Sequence, residues 1–132
     1  MVVDTSALVA ILFREADADR LGQALADATV RLVSAVTRVE LSFVVEGRKG
    51  EAGRTDVDML FRDGGFEIVD VTSRQAEFAI VAFRRFGKGR HRAALNIGDC
   101  FSYALAAAVD RPLLFKGNDF VHTDIRRALQ AA

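Results

Sequence analysis

Four short apolar segments recur along the chain, and helical sequence separates each from the next. They lie at residues 1–3, 30–33, 66–71 and 112–115 and read as strands. Because these segments are apolar throughout rather than alternating, both faces of the sheet that they form should be covered. Strands that alternate with helices favour a parallel sheet. We therefore predict an α/β fold, a three-layer α/β/α sandwich with a central parallel sheet of about four or five strands.

The intervening segments have helical spacing and helix-capping residues. Thr5 and Ser6 have cap chemistry for a helix that runs to about residue 13. Further helices are predicted at 16–28, 35 to about 48, 51–62, 73–86, 97–109 and about 123–129. Neither a linker rich in proline or serine nor an internal repeat interrupts the sequence. We therefore expect a single domain over residues 1–132.

Charge and composition exclude several classes of protein. The 18 Lys and Arg residues balance 18 Asp and Glu residues, so binding of nucleic acid requires a local basic patch rather than an overall positive charge. The longest apolar run, Ala7 to Phe13, is far shorter than the roughly 20 residues of a membrane-spanning helix. A lone cysteine, Cys100, forms no internal disulfide. With no basic residue before Arg14 to begin a secretory signal, we expect no membrane association and a cytoplasmic location.

Two acids follow predicted strands. Asp4 comes directly after the first strand, and Asp119 follows the fourth strand after a Gly-Asn turn. The carboxyl ends of parallel strands meet at one edge of a sheet, which is where sites in such folds lie. Each acid also has a purely structural interpretation, since Asp4 with Thr5 and Ser6 can cap a helix, and Asp119 can form a turn.

Two more acids lie on predicted helices. Glu40 falls on the same helical arc as Phe43 and Val44, so we expect its carboxylate to face inward. Such a group needs either a basic partner or a bound metal, because burying an unpaired charge is costly. Asp99 lies three residues after Asn96 on an almost wholly apolar helix, where it can act as a ligand or complete a capping box.

Together, Asp4, Glu40, Asp99 and Asp119 predict a shared site. Carboxylates that converge on one sheet edge repel one another unless a hard cation lies among them. Oxygen ligands without cysteine or histidine favour Mg²⁺, with Mn²⁺ as a substitute. The chemistry that this predicts is hydrolysis of a phosphodiester by metal-activated water. Thr5 or Ser6 can add a hydroxyl ligand or a water-bridged contact, although helix capping is the expected role of at least one of them.

The charge is concentrated in one basic segment before Asp99. No acid occurs between Glu77 and Asp99, whereas the segment contains Arg84, Arg85, Lys88, Arg90, His91 and Arg92. Cations at the end of a helix stabilise its dipole, which accounts best for the two arginines at 84 and 85. Beyond that helix, we predict that Lys88, Arg90, His91 and Arg92 contact the phosphates of a nucleic acid beside the metal.

Motifs along nearly the whole chain resemble those of the PIN-domain family, and specifically the VapC toxins of bacterial toxin-antitoxin pairs. They are the opening MVVDTSALVAIL, the RVE around Glu40, KGRHRAALNIGDCFSYALA and LLFKGNDFVHTDI. The resemblance implies a Mg²⁺-dependent endoribonuclease, with Asp4, Glu40, Asp99 and Asp119 matching the acidic site. Asp124 is a second candidate for the fourth position, although we favour Asp119. The resemblance also implies a homodimer and a VapB-type antitoxin that covers the site.

Other interpretations remain open. One is a catalytically silent PIN-like module that binds RNA or a partner. Another is a receiver-like phospho-acceptor domain, with Asp70 as acceptor and Lys116 after the last strand. Strand one lacks the adjacent acid pair of a receiver, which argues against this. The predicted helix at 51–62 has an apolar side that serves either the core or a dimer or antitoxin interface.

Overall fold

A computed structural model describes residues 1–130. They form a four-stranded parallel sheet with helices on both faces. The strands are β1 (Val2–Val3), β2 (Arg31–Ser34), β3 (Phe66–Val69) and β4 (Leu113–Leu114), in the spatial order β3-β2-β1-β4. Each lies within two residues of its predicted position. The predicted parallel α/β class is confirmed.

Five helices connect the strands: α1 (Thr5–Leu12), α2 (Ala18–Asp27), α3 (Ala35–Asp63), α4 (Ser73–Phe86) and α5 (Ile97–Val109). The two helices predicted at 35–48 and 51–62 are the two arms of α3. They meet at Gly50, whose φ of 61° and ψ of −141° interrupt the helix in a conformation that only glycine adopts readily. None of the helices within residues 1–130 is both long enough and apolar enough to cross a membrane.

Alternate residues of the strands form two separate apolar layers. Val2 and its neighbours Leu32 and Leu113 pack against α4 and α5. On the opposite face, Val3, Val33 and Leu114 pack against α1, α2 and α3. Because side chains alternate across a strand, even strands of two residues contribute to both layers. This packing confirms the three-layer arrangement.

The prediction of a helix at 123–129 is wrong. In its place, a short 3₁₀ turn at Phe120–His122 leads into an extended segment that runs beside β4. The backbone N–H of Leu113 donates to Arg126 O at 2.9 Å, and Ala128 N–H donates to Leu113 O at 2.9 Å. An edge strand exposes unpaired backbone groups, and here the C-terminal segment satisfies those of β4. A local sequence pattern does not show that this segment must pair with a distant strand.

The strand order brings two chain segments together at one edge of the sheet. The chain passes from β1 outward to β2 and β3 and then returns to β4 on the other side of β1. Ligand sites in open parallel sheets lie where the strand order reverses in this way. Asp4 lies at that point, directly after β1, and its backbone N–H donates to Leu114 O at 2.9 Å.

The crossing of the two arms of α3 gives a test of the packing. A Cβ at Gly53 would lie 2.6 Å from the carbonyl oxygen of Val45, whereas a Cβ at Gly47 would have no neighbour within 4 Å. We expect Gly53→Ala to lower the free energy of unfolding by about 1–3 kcal/mol. Gly47→Ala should leave it unchanged or raise it by up to about 1 kcal/mol. Urea unfolding measures both, and equal stability of the two variants would contradict the close crossing.

Candidate active site

Asp4 is held from both of its carboxylate oxygens. The residue is 2% exposed and forms the N-cap of α1, where Oδ2 accepts from the Ser6 backbone N–H at 3.0 Å and from the Ser6 hydroxyl at 2.7 Å. Oδ1 accepts from the Ser102 hydroxyl at 2.5 Å. The expectation that Thr5 or Ser6 caps this helix is therefore wrong, because both lie inside it. Asp4 caps the helix and also presents its carboxylate at the sheet edge.

Ser102 is a site residue that the sequence analysis missed. It lies on α5 one turn after Asp99 and is fully buried, with its Oγ 3.3 Å from the Thr37 hydroxyl of α3. Its hydroxyl therefore joins α5 and α3 to the carboxylate that follows β1. A polar residue one helical turn from a candidate ligand, on an otherwise apolar helix, is the signal that would have identified it.

Glu40 lies at the border between α3 and α5 rather than on the core face of α3. The core residues of this arm are Thr37, Leu41 and Val45, whereas Phe43 is 75% exposed. The expectation that Glu40 shares an inward-facing stripe with Phe43 is wrong. Helical spacing identified an apolar stripe, but α3 has two of them and only one faces the sheet. Glu40 itself is half-buried.

The Glu40 carboxyl group has a hydroxyl partner instead of a basic one. Its Oε1 accepts a short hydrogen bond from the Thr5 hydroxyl at the start of α1. Burial raises the pKa of Glu40, the Thr5 hydrogen bond partly offsets this, and the negative charge of Asp4 raises the pKa further. The same group also lies against Gly98 in the first turn of α5.

Asp99 shows the electrostatic cost of this arrangement most clearly. It forms the predicted capping box of α5: its Oδ2 accepts from Asn96 N–H at 3.0 Å, and its own N–H donates to Asn96 Oδ1 at 2.8 Å. Burial raises the pKa of Asp99 to about 7, against the lowering effect of the Asn96 hydrogen bond. The charges of Asp4, Asp119 and Glu40 raise this pKa further, so the other three acids all act on Asp99.

The two candidates for the fourth acid have different surroundings. Asp119 is exposed and forms no side-chain cap at the 3₁₀ turn, and its charge acts on Asp99. The carboxylate of Asp124 accepts from the Tyr103 hydroxyl at 2.5 Å and from Arg85 at 3.3 Å. Asp124 is therefore already paired with a cation, whereas the charge of Asp119 acts on Asp99.

A basic counter-ion is missing from this acidic group. Within residues 1–130, no Lys, Arg or His nitrogen lies within 4.0 Å of the carboxylates of Asp4, Glu40, Asp99 or Asp119. The nearby Lys116 instead pairs with Glu15 at 2.6 Å, which removes the free lysine that a receiver domain requires. In the described part of the chain, no three Asp, Glu, His or Cys side chains are already arranged to hold a metal ion.

The basic loop between α4 and α5 divides into two kinds of side chain. Lys88, Arg90 and Arg92 are exposed, and the guanidinium of Arg90 lies over the Phe83 ring at 5.0 Å from its centre. His91 has a local structural role, because its Nδ1 accepts from Ala93 N–H at 3.1 Å and its ring packs edge-on against Phe86.

Apolar side chains are exposed near the site. Val39 and Phe43 on α3 are 51% and 75% exposed, and Ile97 at the start of α5 is 78% exposed. A cavity of about 500 Å³ opens between α4 and α5, with Phe83 and Phe101 among its lining residues. Patches of this kind are typical of protein-binding surfaces.

Comparison of the sequence with known proteins finds a matching family model and curated relatives. The PIN domain model matches residues 1–126. The chain is 51% identical to Ribonuclease VapC of Mycolicibacterium smegmatis over 125 residues, covering 95% of this chain and 97% of the relative. It is 50% identical to Ribonuclease VapC30 of Mycobacterium tuberculosis strain H37Rv over 125 residues, which covers 95% of each chain.

Solved structures share the fold at low sequence identity. Mycobacterium tuberculosis VapC20, described as a Sarcin-Ricin loop cleaving toxin, superposes with a TM-score of 0.77 at 18% identity, covering 94% of this chain and 95% of that one. VapBC2 from Rickettsia felis, bound to a DNA fragment from their promoter, gives 0.72 at 16% identity, covering 96% and 94%. The match to the family model and the identity to curated relatives over almost the full length show that this chain belongs to the PIN-domain family, within its VapC group.

Proposed function

We propose that this protein is a Mg²⁺-dependent endoribonuclease, the toxin of a VapBC-type toxin-antitoxin module. One observation supports this most strongly: the charges of three acids act on Asp99 beside the strand-order reversal of the sheet, and within residues 1–130 none of the four carboxylates has a basic partner within 4.0 Å. The relatives named ribonuclease VapC support the activity itself. RNA as the substrate agrees with the cytoplasmic location expected from the sequence.

The donor set fits a hard divalent cation. Carboxylate oxygens are the ligands that Mg²⁺ prefers, and Mn²⁺ accepts the same set. We propose that Asp4, Glu40, Asp99 and Asp119 would hold the ion, which when bound would supply activation of a water for attack on the phosphodiester. The raised pKa of Glu40 and of Asp99 supports this, because both carboxylates are less stable as anions without a nearby positive charge.

The chain's own residues fix where these oxygens point. Ser102 and Ser6 hold opposite oxygens of Asp4, and Thr5 holds one oxygen of Glu40. Hydroxyl donors orient a carboxylate without cancelling its charge, whereas a lysine or arginine would cancel it. Thr5 and Ser6 therefore act as orienting donors in this proposal, rather than as direct ligands.

Exposed apolar side chains beside the site support the proposal that the protein binds protein partners. Val39, Phe43 and Ile97 belong to helices that flank the acids, so a bound protein there would cover the site. We propose a VapB-type antitoxin as that partner and a homodimer as the assembly of the toxin. The Rickettsia felis VapBC2 structure supports the pairing of such a toxin with an antitoxin.

Removing one carboxylate tests the enzymatic proposal. Asp99→Asn should lower Mg²⁺-dependent cleavage of an RNA pool at least about 100-fold, because a charged ligand is lost. The fold should persist, since the asparagine oxygen can still accept from Asn96 N–H. Asp27→Asn, at an exposed position on α2, is the matched control and should cleave like the wild type. Gel analysis of RNA after incubation measures all three proteins.

Cleavage by the purified wild type, freed of antitoxin, decides the proposal as a whole. RNA that remains uncut with both Mg²⁺ and Mn²⁺ would contradict it. If the wild type binds RNA without cutting, the alternative of a catalytically silent PIN-like module is correct. Full activity of Asp99→Asn would remove that carboxylate from the mechanism.

The Asp99 carboxyl group should make the stability of the metal-free protein depend on pH. Its pKa rises from 3.8 to about 7 on folding, so the folded state retains a proton that the unfolded chain has lost. The free energy of unfolding should therefore fall as the pH rises from about 4 to about 7, with each pKa unit equivalent to about 1.4 kcal/mol. Asp99→Asn should lack this component. Urea unfolding in EDTA at pH 5 and pH 8 measures the difference.

Added metal provides the second arm of this experiment. At pH 8, Mg²⁺ should stabilise the wild type more than Asp99→Asn, because it binds the folded state and relieves the repulsion. Identical pH dependence of the two proteins in EDTA would show that Asp99 is not under electrostatic stress. Equal stabilisation of both by Mg²⁺ would show that the ion binds elsewhere.

The exposed arginines of the basic loop should bind RNA phosphates. Replacing Arg90 and Arg92 with glutamine in the Asp99→Asn background should weaken RNA binding and reduce its salt dependence by up to about one unit of slope per residue. The control replaces Arg54 and Arg62, two exposed arginines of α3, with glutamine. Filter binding at several salt concentrations measures both. Equal losses in the two double variants would indicate a general charge effect. We likewise predict that Lys88 and His91 contact RNA phosphates.

A further inference from the structure

Gly98 lies in the first turn of α5, directly before Asp99, and is buried against the Glu40 side chain of α3. A Cβ at this position would lie 2.3 Å from Glu40 Oε2 and 2.6 Å from both Cδ and Oε1. These three atoms are the nearest neighbours of that Cβ, and all belong to one carboxyl group. No side chain fits there while the Glu40 carboxyl group occupies its present place.

The backbone does not explain the glycine. Within residues 1–130, the glycines with positive φ are Gly50, Gly65, Gly89 and Gly117. Gly98 lies within α5 and has no positive φ, and a helix favours alanine over glycine. The helix would accept alanine, so the requirement for glycine comes from the space that Glu40 uses.

We propose that Gly98 is a positioning residue, whose missing side chain makes the space that holds the Glu40 carboxylate beside Asp99. The inference rests on the proposed function, since it matters only if Glu40 serves the acidic site. The carboxyl group lies between Gly98 on one side and the Thr5 hydroxyl on the other. The first turn of α5 also favours a negative charge through its N-terminal dipole.

The atoms in the way determine what a substitution does. At Gly53 an added Cβ meets a backbone carbonyl, which cannot move without distorting the helix. At Gly98 it meets the end of a flexible side chain, which can rotate away. Gly98→Ala should therefore keep the fold while displacing the Glu40 carboxylate. A melting temperature within a few degrees of the wild type is expected.

A double-mutant cycle tests whether Gly98 acts through Glu40. The proteins are the wild type, Gly98→Ala, Glu40→Ala and the double variant, each as the full chain freed of antitoxin. Gly98→Ala should weaken Mn²⁺ binding about tenfold or more, measured by calorimetry, and lower RNA cleavage. In the Glu40→Ala background the same substitution should have no further effect. Gly22→Ala on α2, where a Cβ meets nothing within 4 Å, should match the wild type in both measurements.

Three outcomes would overturn the inference. The first is Mn²⁺ affinity and cleavage in Gly98→Ala equal to those of Gly22→Ala. The second is an equal loss from Gly98→Ala with and without the Glu40 carboxylate, which would indicate a role independent of that group. The third is a large fall in the melting temperature, which would make Gly98 a packing residue.

A measurement without metal separates this inference from the proposed function. The ¹³C resonance of the Glu40 side-chain carboxyl and the Thr5 methyl resonance should shift in metal-free Gly98→Ala and stay in place in Gly22→Ala. Unchanged resonances in Gly98→Ala would overturn the positioning role. If the wild type neither binds Mn²⁺ nor cuts RNA, the proposed function fails, and these resonances still decide whether Gly98 places the carboxylate.

Discussion

Mutual repulsion between carboxylates is the constraint on which the site depends. Asp4 follows β1, Glu40 lies on α3 and Asp99 lies on α5. Helix α5 contacts Asp4 and Glu40 and contains Asp99. The described contacts that hold these acids come from hydroxyl and backbone N–H groups. Such donors fix the geometry and leave the negative charges in place, so the carboxylates repel one another.

The fold tolerates this stress because the rest of the structure is conventional. Two apolar layers cover both faces of the sheet, and the short strands β1 and β4 place Asp4 at its edge without any unusual backbone. The Asp4 carboxylate caps α1 and also belongs to the candidate site, so one group stabilises a helix and presents charge. Asp99 combines the same two roles at α5. Double use of this kind explains why structural and functional interpretations of these acids are compatible.

Local sequence patterns predicted where the strands and helices lie better than they predicted what packs against each of them. Apolar strands and capping residues located the sheet and most helices, and Asp4 was recognisable from its place after a strand. The exposed face of Phe43 was not, because spacing shows that a stripe is apolar but not what covers it. Ser102 and Gly98 were missed because their roles exist only where α5 meets β1 and α3. The extended segment after the 3₁₀ turn was missed for the same reason, since its partner is a distant strand.

Paramagnetic broadening by Mn²⁺ tests most directly whether the acids form one ion site. Adding Mn²⁺ in small steps to the metal-free wild type should broaden the NMR signals of Asp4, Glu40, Asp99 and Asp119 together, at the same metal concentration. Excess Mg²⁺ should reverse the broadening. Broadening that reaches only Asp119 and other exposed acids, or that affects the four residues at different metal concentrations, would contradict a shared site.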